Sequence, residues 1–487
     1  TESVLLAALG GIVGVTIANA CLTVIVVLIP PYLLPSEAAI GLNWPALVFS
    51  LAASCATALI FGLVPALHTT RHDLIDVMRG ATIDTSQALR GKRLRAALVV
   101  IEVALSVVLL AGAGLLVRSY VNLQRIDLGF RADNLIYAQV TLPQKQYRSA
   151  AAQQELFNEI LARLQALPGV ASATVVSAVP LNGGIRSGID IAGAPHERIA
   201  PTIVQLATAS YFRTTGLHLT RGRFFSDDEA AARRQIVVVN ETLVKRYFGA
   251  ADPLGQFITI NALGAAPEDA LQDPRFEVVG VVADTKNHGI RDAAWPEAFA
   301  PSSVTSAYGH AIVVRSVNAR GQIINSVREG IWAIDRNVVI AETGMVEDLL
   351  RRYAYAEPLF SLAVLSAFAA VGLVLVMLGV YGAIAYAVAR ETHAIGIRMA
   401  LGARPQEVRD MVLKRTLVLI AAGITIGMLS ALFGTRALAT QLWGVTPNDP
   451  VTLGAVAALI LCVGLAAGYV PARRATRIDP ALAMRVE

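Results

Sequence analysis

Six long apolar segments constrain this chain more than any other feature. They cover Val4–Ile29, Pro45–Leu67, Ala96–Val117, Leu359–Val388, Val412–Leu432 and Leu453–Tyr469. Each is nearly free of charge and long enough to cross a bilayer as a helix, which takes about 20 apolar residues. The chain is 55% hydrophobic and 16% charged, whereas a soluble domain has about 25% charged residues. The sequence therefore predicts a multi-pass helical membrane protein. It excludes a disordered chain, a disulfide scaffold and a collagen-like fibre.

A stretch of ordinary soluble composition separates the third and fourth apolar segments. It runs from Ser119 to Pro358, about 240 residues, which is room for one large or two small subdomains. Apolar alternation predicts strands, and apolar residues at helical spacing predict amphipathic helices. The predicted strands are Leu135–Thr141, Val170–Val176, Gln235–Asn240 and Phe276–Val282, and the predicted helices are Ala150–Leu167, Thr242–Phe248 and Ile323–Asp335. The sequence thus predicts an α+β domain inserted between membrane helices 3 and 4 of six.

The placement of basic residues predicts the orientation of the chain. Lys and Arg are concentrated in the connections His68–Arg95 and Ala389–Arg415 and in the C-terminal tail. The other two short connections, Pro30–Trp44 and Ala437–Val451, contain none. Basic residues in short loops stay on the cytoplasmic side, so both chain ends are predicted to be cytoplasmic and the α+β domain to lie outside. The net charge of +5 then reflects topology and contact with membrane lipids, and no nucleic-acid partner is predicted.

An internal repeat links the second and last apolar segments. Gly62–Ala66 matches Gly468–Ala472, and the register continues without a gap through further identities to Arg79 and Arg485. The repeat predicts a duplicated membrane protein whose two halves form a pseudo-dimer about an axis along the membrane normal. Because the chain starts with Thr1 and its first copy lacks a beginning, we expect an N-terminally truncated fragment. Glycine pairs at matching positions, Gly10 and Gly14 in one copy and Gly423 and Gly427 in the other, are predicted to bring helices close together.

The sequence contains none of the motifs of an enzyme. It has no phosphate-binding loop, no His-Glu-x-x-His and no nucleophile triad that spacing can support. Cys21, Cys55 and Cys462 all lie in apolar segments and are interpreted as packing residues. We therefore predict no catalytic residue, no metal and no cofactor in this chain. Asn240-Glu241-Thr242 formally matches a glycosylation acceptor, but it adjoins a predicted strand and is interpreted as a chance match.

One acidic residue, Glu102, interrupts the third apolar segment. A carboxylate at membrane depth is costly and is commonly paired or functional. It is either a polar contact or relay between helices, or a residue near the inner interface that contacts Arg93 or Arg95. The sequence leaves both interpretations open.

The connection after the fourth apolar segment carries the sharpest local signal. Its segment Arg390–Ala403 places Ile395, Ile397, Met399 and Leu401 beside basic residues. A short helix of this kind suits docking onto a partner protein. It suits equally an interfacial helix that lies on lipid head groups.

These residues resemble a known family. Ala394–Ala403 resembles the signature loop of FtsX-like permeases of ABC transporters, and Val470–Pro480 with Ala483–Arg485 is similar to their C-terminal signature. Asp252–Gly255, Phe276–Asp284 and Trp295-Pro296 resemble the periplasmic core domain of MacB-type permeases. The stretch from Arg93 through Glu102 to Gly114, with Arg118-Ser119 and Gly129-Phe130, is similar to the duplicated permeases first grouped in acidobacteria.

The resemblance implies a domain organisation. Residues 1–79 would be the last two membrane helices of an incomplete first FtsX-like unit, and residues 80–118 a cytoplasmic linker with membrane helix 3. Residues 119–357 would form the periplasmic core domain, and residues 358–487 the C-terminal FtsX-like domain with three membrane helices. The resemblance further implies a bacterial inner membrane location.

The resemblance also implies a role and the residues that carry it. The chain would be the permease subunit of an export system that binds no ATP itself but couples to a separate cytoplasmic ABC ATPase. The coupling would pass motion to the periplasmic domain, a mechanism called mechanotransmission. The alternatives are a regulator that acts on a periplasmic protein partner and an orphan scaffold without a working ATPase. The coupling loop would comprise Ile395, Gly396, Ile397, Arg398, Met399, Ala400, Leu401, Gly402 and Ala403, and the C-terminal signature Pro471, Ala472, Arg473, Arg474, Asp479 and Pro480. Ala394 stands where the family usually has an acidic residue.

Overall fold

A computed structural model describes most of the chain. The described residues are 2–29, 44–45, 47–52, 54, 85–143, 145–191, 201–266, 269–306, 308–317 and 322–476. Most of the second predicted membrane segment, the first copy of the repeat, Cys55, Asp479 and Pro480 lie outside them. The chain divides into two compact units, one of Thr1–Asn122 with Ala356–Glu487 and one of Leu123–Tyr355. We refer to them as the helical unit and the middle unit.

The principal α-helices of the described residues are numbered in chain order. They are α1 (Glu2–Leu28), α2 (Thr85–Gln124), α3 (Ala150–Gln165), α4 (Tyr211–Thr215), α5 (Asp227–Ala231), α6 (Glu241–Tyr247), α7 (Asn261–Gly264), α8 (Gln322–Trp332), α9 (Val346–Leu349), α10 (Ala356–Arg390), α11 (Thr392–Ala400), α12 (Pro405–Gly434) and α13 (Pro450–Ala475). A π-helical segment, Leu350–Tyr355, joins α9 to α10.

The strands found among the described residues all belong to the middle unit. They are β1 (Leu135–Thr141), β2 (Val170–Val176), β3 (Ile185–Ser187), β4 (Ile189–Ile191), β5 (Thr202–Ala207), β6 (Leu219–Gly222), β7 (Ile236–Asn240), β8 (Phe257–Ile260), β9 (Arg275–Val282), β10 (Glu297–Pro301), β11 (His310–Ser316) and β12 (Val339–Met345).

Four described helices are long and apolar enough to cross a membrane. They span Arg95–Gln124, Val346–Arg390, Pro405–Leu438 and Pro450–Ala475. The first apolar segment is helical as α1, but its described apolar part, Leu9–Val24, is shorter than a membrane span. The described residues therefore support four of the six predicted membrane helices.

The helical unit has a core of β-branched residues from α2, α10, α12 and α13. These helices contribute, among others, Val103, Val107, Val376, Val380, Ile420, Val456 and Ile460, all buried. Stiff side chains of this kind interlock at close range. The membrane-facing positions, such as Leu105 and Phe368, remain exposed.

Glycines let the helices of this core approach each other. A Cβ placed on Gly423 would lie 2.6 Å from Val103 Cβ, and one on Gly427 would lie 2.6 Å from Val107 Cβ. On α13, Gly468 faces Thr416 in the same way, with a Cβ-to-Cγ2 distance of 2.7 Å. The predicted packing role of Gly423 and Gly427 is confirmed. Gly10 and Gly14 have no such neighbour within 4 Å among the described residues.

The middle unit is built on one mixed sheet. The strand order is β12-β1-β11-β2-β5-β10-β7-β9-β8-β4, with β3 paired to β5 and β6 paired to β9. The pairs β5–β10 and β7–β9 are parallel. Helices α3 and α8 supply Phe157, Ile160 and Val327 to the core over β1, β2 and β11, and α6 covers the other half of the sheet with Leu243 and Val244. The predicted α+β architecture of this segment is confirmed.

Candidate functional site

The predicted coupling loop forms a short helix, α11, between two membrane helices. Ile395 is 2% exposed and packs against Val408 of α12 and Ala475 of α13. Ala475 follows the predicted C-terminal signature residues Pro471 and Ala472, which lie buried in α13. The structure thus brings the coupling loop and the described part of the C-terminal signature together, with Ile395 as the anchor.

The turn after α11 depends on glycine. The backbone N–H groups of Leu401 and Ala403 donate to Ile397 O and Arg398 O, both at 3.0 Å. Gly402 has φ +100°, a conformation that L side chains rarely adopt. Helix α12 then starts with Pro405 at its first turn, a position that suits proline. The end of α11 is therefore fixed relative to α12.

Polar contacts fix the start of α11 and its basic side. The Arg415 Nη1 atom of α12 lies 2.5 Å from a carboxylate oxygen of Glu391, the residue before α11. Arg398 Nη1 of α11 donates to Met411 Sδ of α12 at 3.1 Å. Nearby, Arg474 of α13 donates to the hydroxyl of Tyr381 of α10 at 3.0 Å and joins these two helices. Exposed ion pairs add little stability, so these contacts chiefly set geometry.

An apolar face of α11 remains uncovered. Ile397 is 40% exposed and Leu401 is 83% exposed. The two residues are four positions apart, so they lie on the same side of the helix and its final turn. We call them the apolar pair. A helix held by one buried isoleucine and presenting two exposed apolar side chains is suited to contact with another molecule.

Glu102 lies on α2, at the contact with α10. A Cβ built on Gly379 of α10 would collide with Oε2 of Glu102, so the carboxylate fills the space that this glycine leaves. Within the described residues, no ion pair involves Glu102. Arg95, one of its two predicted partners, instead lies over the ring of Tyr386, with Cζ 3.9 Å from the ring centroid. The contact of Glu102 is therefore with a second helix, and a functional role for it stays a prediction.

A cluster that the sequence analysis missed ties the opposite end of α2 to the segment before α13. Arg118 forms an ion pair with Asp449, which also accepts hydrogen bonds from the backbone and hydroxyl of Thr452. Ser119 Oγ accepts from Trp443 N at 2.7 Å, and Asn122 Nδ2 donates to Gly444 O at 3.0 Å. We call this cluster the α2 clamp. The sequence hinted at this cluster only through Asp449, because an Asp directly before a helix that starts with proline is typical of an N-cap.

Asp449 is expected to matter more than its partner Arg118. Hydrogen bonds from Thr452, with a smaller contribution from Arg118, hold the pKa of Asp449 below its usual value. Asp449→Ala removes both the N-cap of α13 and the counter-ion of Arg118, whereas Arg118→Ala removes only an ion pair. We expect Asp449→Ala to lower the melting temperature of the detergent-solubilised chain by several degrees and Arg118→Ala by less. Equal shifts would contradict the capping role.

A second polar cluster lies in the middle unit, around the buried carboxylate of Glu297. This residue is 2% exposed. Its oxygens accept from the Thr285 hydroxyl and from Asn287 Nδ2, the latter at 2.6 Å. Its backbone N–H donates to Asn240 Oδ1 at 2.8 Å. Asn240, from the formal glycosylation match, is thus buried and engaged. Within the described residues, no cation pairs with Glu297.

Because the buried carboxylate of Glu297 has no cation partner among the described residues, we predict that the stability of the protein depends on pH. Burial raises the pKa of Glu297 to about 7 from its ordinary value of 4.5, although the hydrogen bonds from Thr285 and Asn287 oppose the change. The folded state then binds the proton more tightly than the unfolded state, so the stability that Glu297 contributes is highest below pH 4.5 and is lost as the pH rises to about 7. The loss should be about 3 kcal/mol, since each pKa unit corresponds to about 1.4 kcal/mol.

The effect is measured by urea denaturation of the full chain at several pH values from about pH 5 to about pH 8, the range in which Glu297 is expected to lose its proton. Proteolysis of the segment around Trp295 reports unfolding. Glu297→Gln should remove most of the pH dependence. The matched control Glu159→Gln, on the exposed side of α3, should retain it. A wild-type chain that is equally stable throughout this range would contradict the prediction.

Comparison with known proteins adds to this geometry. The model of the MacB-like periplasmic core domain matches residues 96–331, and the model of the FtsX-like permease C-terminal domain matches residues 366–480. The match to a periplasmic core domain and the four apolar helices indicate a multi-pass membrane protein with a periplasmic middle domain.

Two relatives illustrate the likeness. The macrolide export ATP-binding/permease protein MacB of Sodalis glossinidius is 27% identical over 299 residues, covering 57% of this chain and 42% of that protein. The pyoverdine export ATP-binding/permease protein PvdT of Pseudomonas entomophila is 28% identical over 282 residues, covering 55% and 40%. The chain therefore spans about two fifths of the length of these relatives. The periplasmic region of MacB from Actinobacillus actinomycetemcomitans aligns with TM-score 0.31 and 16% identity, covering 46% of this chain and 93% of that one.

Proposed function

Because this chain belongs to the MacB-type, FtsX-like permeases of ABC transporters, we propose that it is a permease subunit that couples to a separate cytoplasmic ATPase during export. Its sequence has no phosphate-binding loop of its own. The two relatives named above are ATP-binding/permease proteins, which supports a permease that works together with an ATP-binding part. ATP would be bound only by that partner.

The apolar pair on α11 is the observation that carries the proposal. Ile397 and Leu401 are exposed, while Ile395 fastens the same helix to α12 and α13. Exposed apolar residues on a rigidly held helix are typical of a protein contact. A force applied to this pair would act directly on two membrane helices. The coupling loop 395–403 is therefore the proposed ATPase contact, with the described signature residues as its support.

Helix α10 offers a route for mechanotransmission. Helix α10 is continuous over 35 residues, which is about 50 Å at 1.5 Å per residue. In the chain it leads from the start of α11 back to the last residues of the middle unit. Movement of α11 would pass along this segment to the periplasmic domain, and no substrate need cross the membrane through this chain. In this arrangement the protein lies in the inner membrane, with α11 and the C-terminus cytoplasmic.

The proposal is tested in proteoliposomes that contain the full-length protein and the ATPase that co-purifies with it. Export predicts that a transported molecule stimulates ATP hydrolysis, and the relatives' names suggest a macrolide and a pyoverdine as first probes. A periplasmic protein partner whose activity follows ATP hydrolysis, without any transported molecule, would identify a regulator instead. If no ATPase co-purifies, the chain is a scaffold and the proposal fails.

A further inference from the structure

Two adjoining cavities open beside β3 of the middle unit. Their volumes are about 470 and 290 Å³. They share Asn182, Gly184 and Arg186 as lining residues, so Arg186 stands at their junction. We call the two cavities together the β3 groove. The groove is large enough for a small organic molecule.

The β3 groove is positively charged and partly aromatic. Arg186 is exposed, and no carboxylate among the described residues pairs with it or lines either cavity. His288 lines the smaller cavity, and its ring centroid lies 3.7 Å from that of Trp295. The guanidinium carbon of Arg186 lies 5.9 Å from the same indole ring. A cation therefore stands next to a flat aromatic surface.

The backbone of the groove is held in a strained conformation. Leu181 has φ +78° and Gly183 has φ +74°. A non-glycine residue in this region costs free energy and persists only where its surroundings impose it. Here Asn287 imposes it, since its Oδ1 accepts from Leu181 N at 3.3 Å and its backbone oxygen accepts from Gly183 N at 2.8 Å. Asn287 is in turn held by the buried carboxylate of Glu297.

The buried cluster of Glu297 and Asn287 thus fixes the backbone of the β3 groove in the absence of a ligand. A preformed site loses less conformational entropy on binding than a mobile loop does. Strain of this kind is concentrated at binding and catalytic sites. The strain at Leu181 and the position of Arg186, which has no carboxylate partner among the described residues, are separate observations that point to the same place.

We propose that the β3 groove binds a small organic anion, a carboxylate carried on an aromatic body. The guanidinium of Arg186 would pair with the carboxylate in the two-pronged geometry that arginine favours. The ring of His288, which lines the smaller cavity and packs against Trp295, would contact the aromatic body. The proposal concerns binding alone, so it stands or falls independently of ATPase coupling and export.

Calorimetric titration of the full chain in detergent tests the proposal with three probes of nearly equal size. Phenylacetate is the anion, 2-phenylethanol the neutral analogue and phenethylamine the cation, and titration into empty micelles corrects for partitioning. We expect saturable binding of phenylacetate, and at least about tenfold weaker binding of the other two, which corresponds to the loss of one charge-assisted hydrogen bond. Equal binding of all three, or no saturable binding of phenylacetate, overturns the proposal.

Matched variants then locate the site. Arg186→Gln should weaken phenylacetate binding at least about tenfold. Arg186→Lys should weaken it less, since it keeps the charge but not the planar fork. Arg213→Gln is the control, because Arg213 is an exposed residue of α4 that lines neither cavity. Wild-type affinity in Arg186→Gln, or an equal loss in Arg213→Gln, would show that phenylacetate binds elsewhere.

Discussion

Leu401→Asp is expected to abolish stimulation of the partner ATPase while leaving the membrane helices folded. Leu401 is 83% exposed, so its replacement disturbs almost no packing within the chain. A charge placed at the centre of an apolar contact must be desolvated without a partner. Losing a central contact residue commonly costs at least about 2 kcal/mol of binding free energy, a factor of about 30 in affinity. Co-purification of the ATPase and its rate of ATP hydrolysis in proteoliposomes measure the effect.

Gln406→Asp is the matched control for this experiment. Gln406 is also exposed and lies in the first turn of α12, five residues after Leu401. It receives the same charge, but it is not part of the apolar pair, so ATPase stimulation should stay within about twofold, as expected for a peripheral contact. If Leu401→Asp retains the ATPase and its stimulation, α11 lies on lipid head groups. The proposed coupling role would then fail.

Gly427→Ala should destabilise the helical unit more than a methyl group added at any other described glycine of this unit. The added Cβ would lie 2.6 Å from Val107 Cβ, 2.8 Å from Ala104 O and 2.9 Å from Ala104 Cα. Two of these atoms belong to the backbone of α2, so no side-chain rotation relieves the collision, and the two helices must separate. Overpacking of this kind typically costs up to about 3 kcal/mol. We expect a much lower melting temperature in detergent and less protein in the membrane.

Gly454→Ala shows the opposite case on α13. No atom of the described residues lies within 4 Å of a Cβ at this position. Alanine favours a helix over glycine by about 1 kcal/mol, so this variant should be as stable as the wild type or more so. Fluorescence-detected size-exclusion chromatography after heating compares both variants. Identical melting of Gly427→Ala and Gly454→Ala would refute the close contact between α2 and α12.

The parts of the fold that follow from local pattern were predictable from the sequence. Strands β1 and β2 were predicted with the bounds that the structure has, Leu135–Thr141 and Val170–Val176. Turn-forming residues flank them, and Pro168-Gly169 separates α3 from β2. The short helix at α11 was predicted from its mixed apolar and basic residues. In these segments the local signal and the tertiary environment agree.

Strands β5 and β10 were not predicted, because they lack both the alternation of a half-buried strand and the uninterrupted β-branched run that marks the equally buried β7. Every residue of Thr202–Ala207 and of Glu297–Pro301 is buried, so neither shows the alternation that marks a half-buried strand. Each also contains a polar residue, Gln205 or Glu297, whose hydrogen-bond partner lies on another segment, 28 and 10 residues away in the chain. The predicted helix Ile323–Asp335 was too long at its C-terminal end, since α8 ends at Trp332.

The candidate site was predictable in its residues but not in its assembly. The coupling loop and the C-terminal signature each had a recognisable sequence. Their meeting through Ile395, Val408 and Ala475 depends on the path of two membrane helices. The α2 clamp joins Arg118 to Asp449, residues 331 positions apart, and no local pattern connects them.

The glycine contacts of the helical unit also restrict how it can move. Where Gly423 and Gly427 seat the side chains of α2, and Gly468 seats Thr416, a helix cannot roll about its own axis without forcing a methyl group through a backbone. Sliding or rolling one of these helices alone would break the fit, but translating α2, α12 and α13 together would not. The three helices are therefore expected to move together as one body rather than independently of each other.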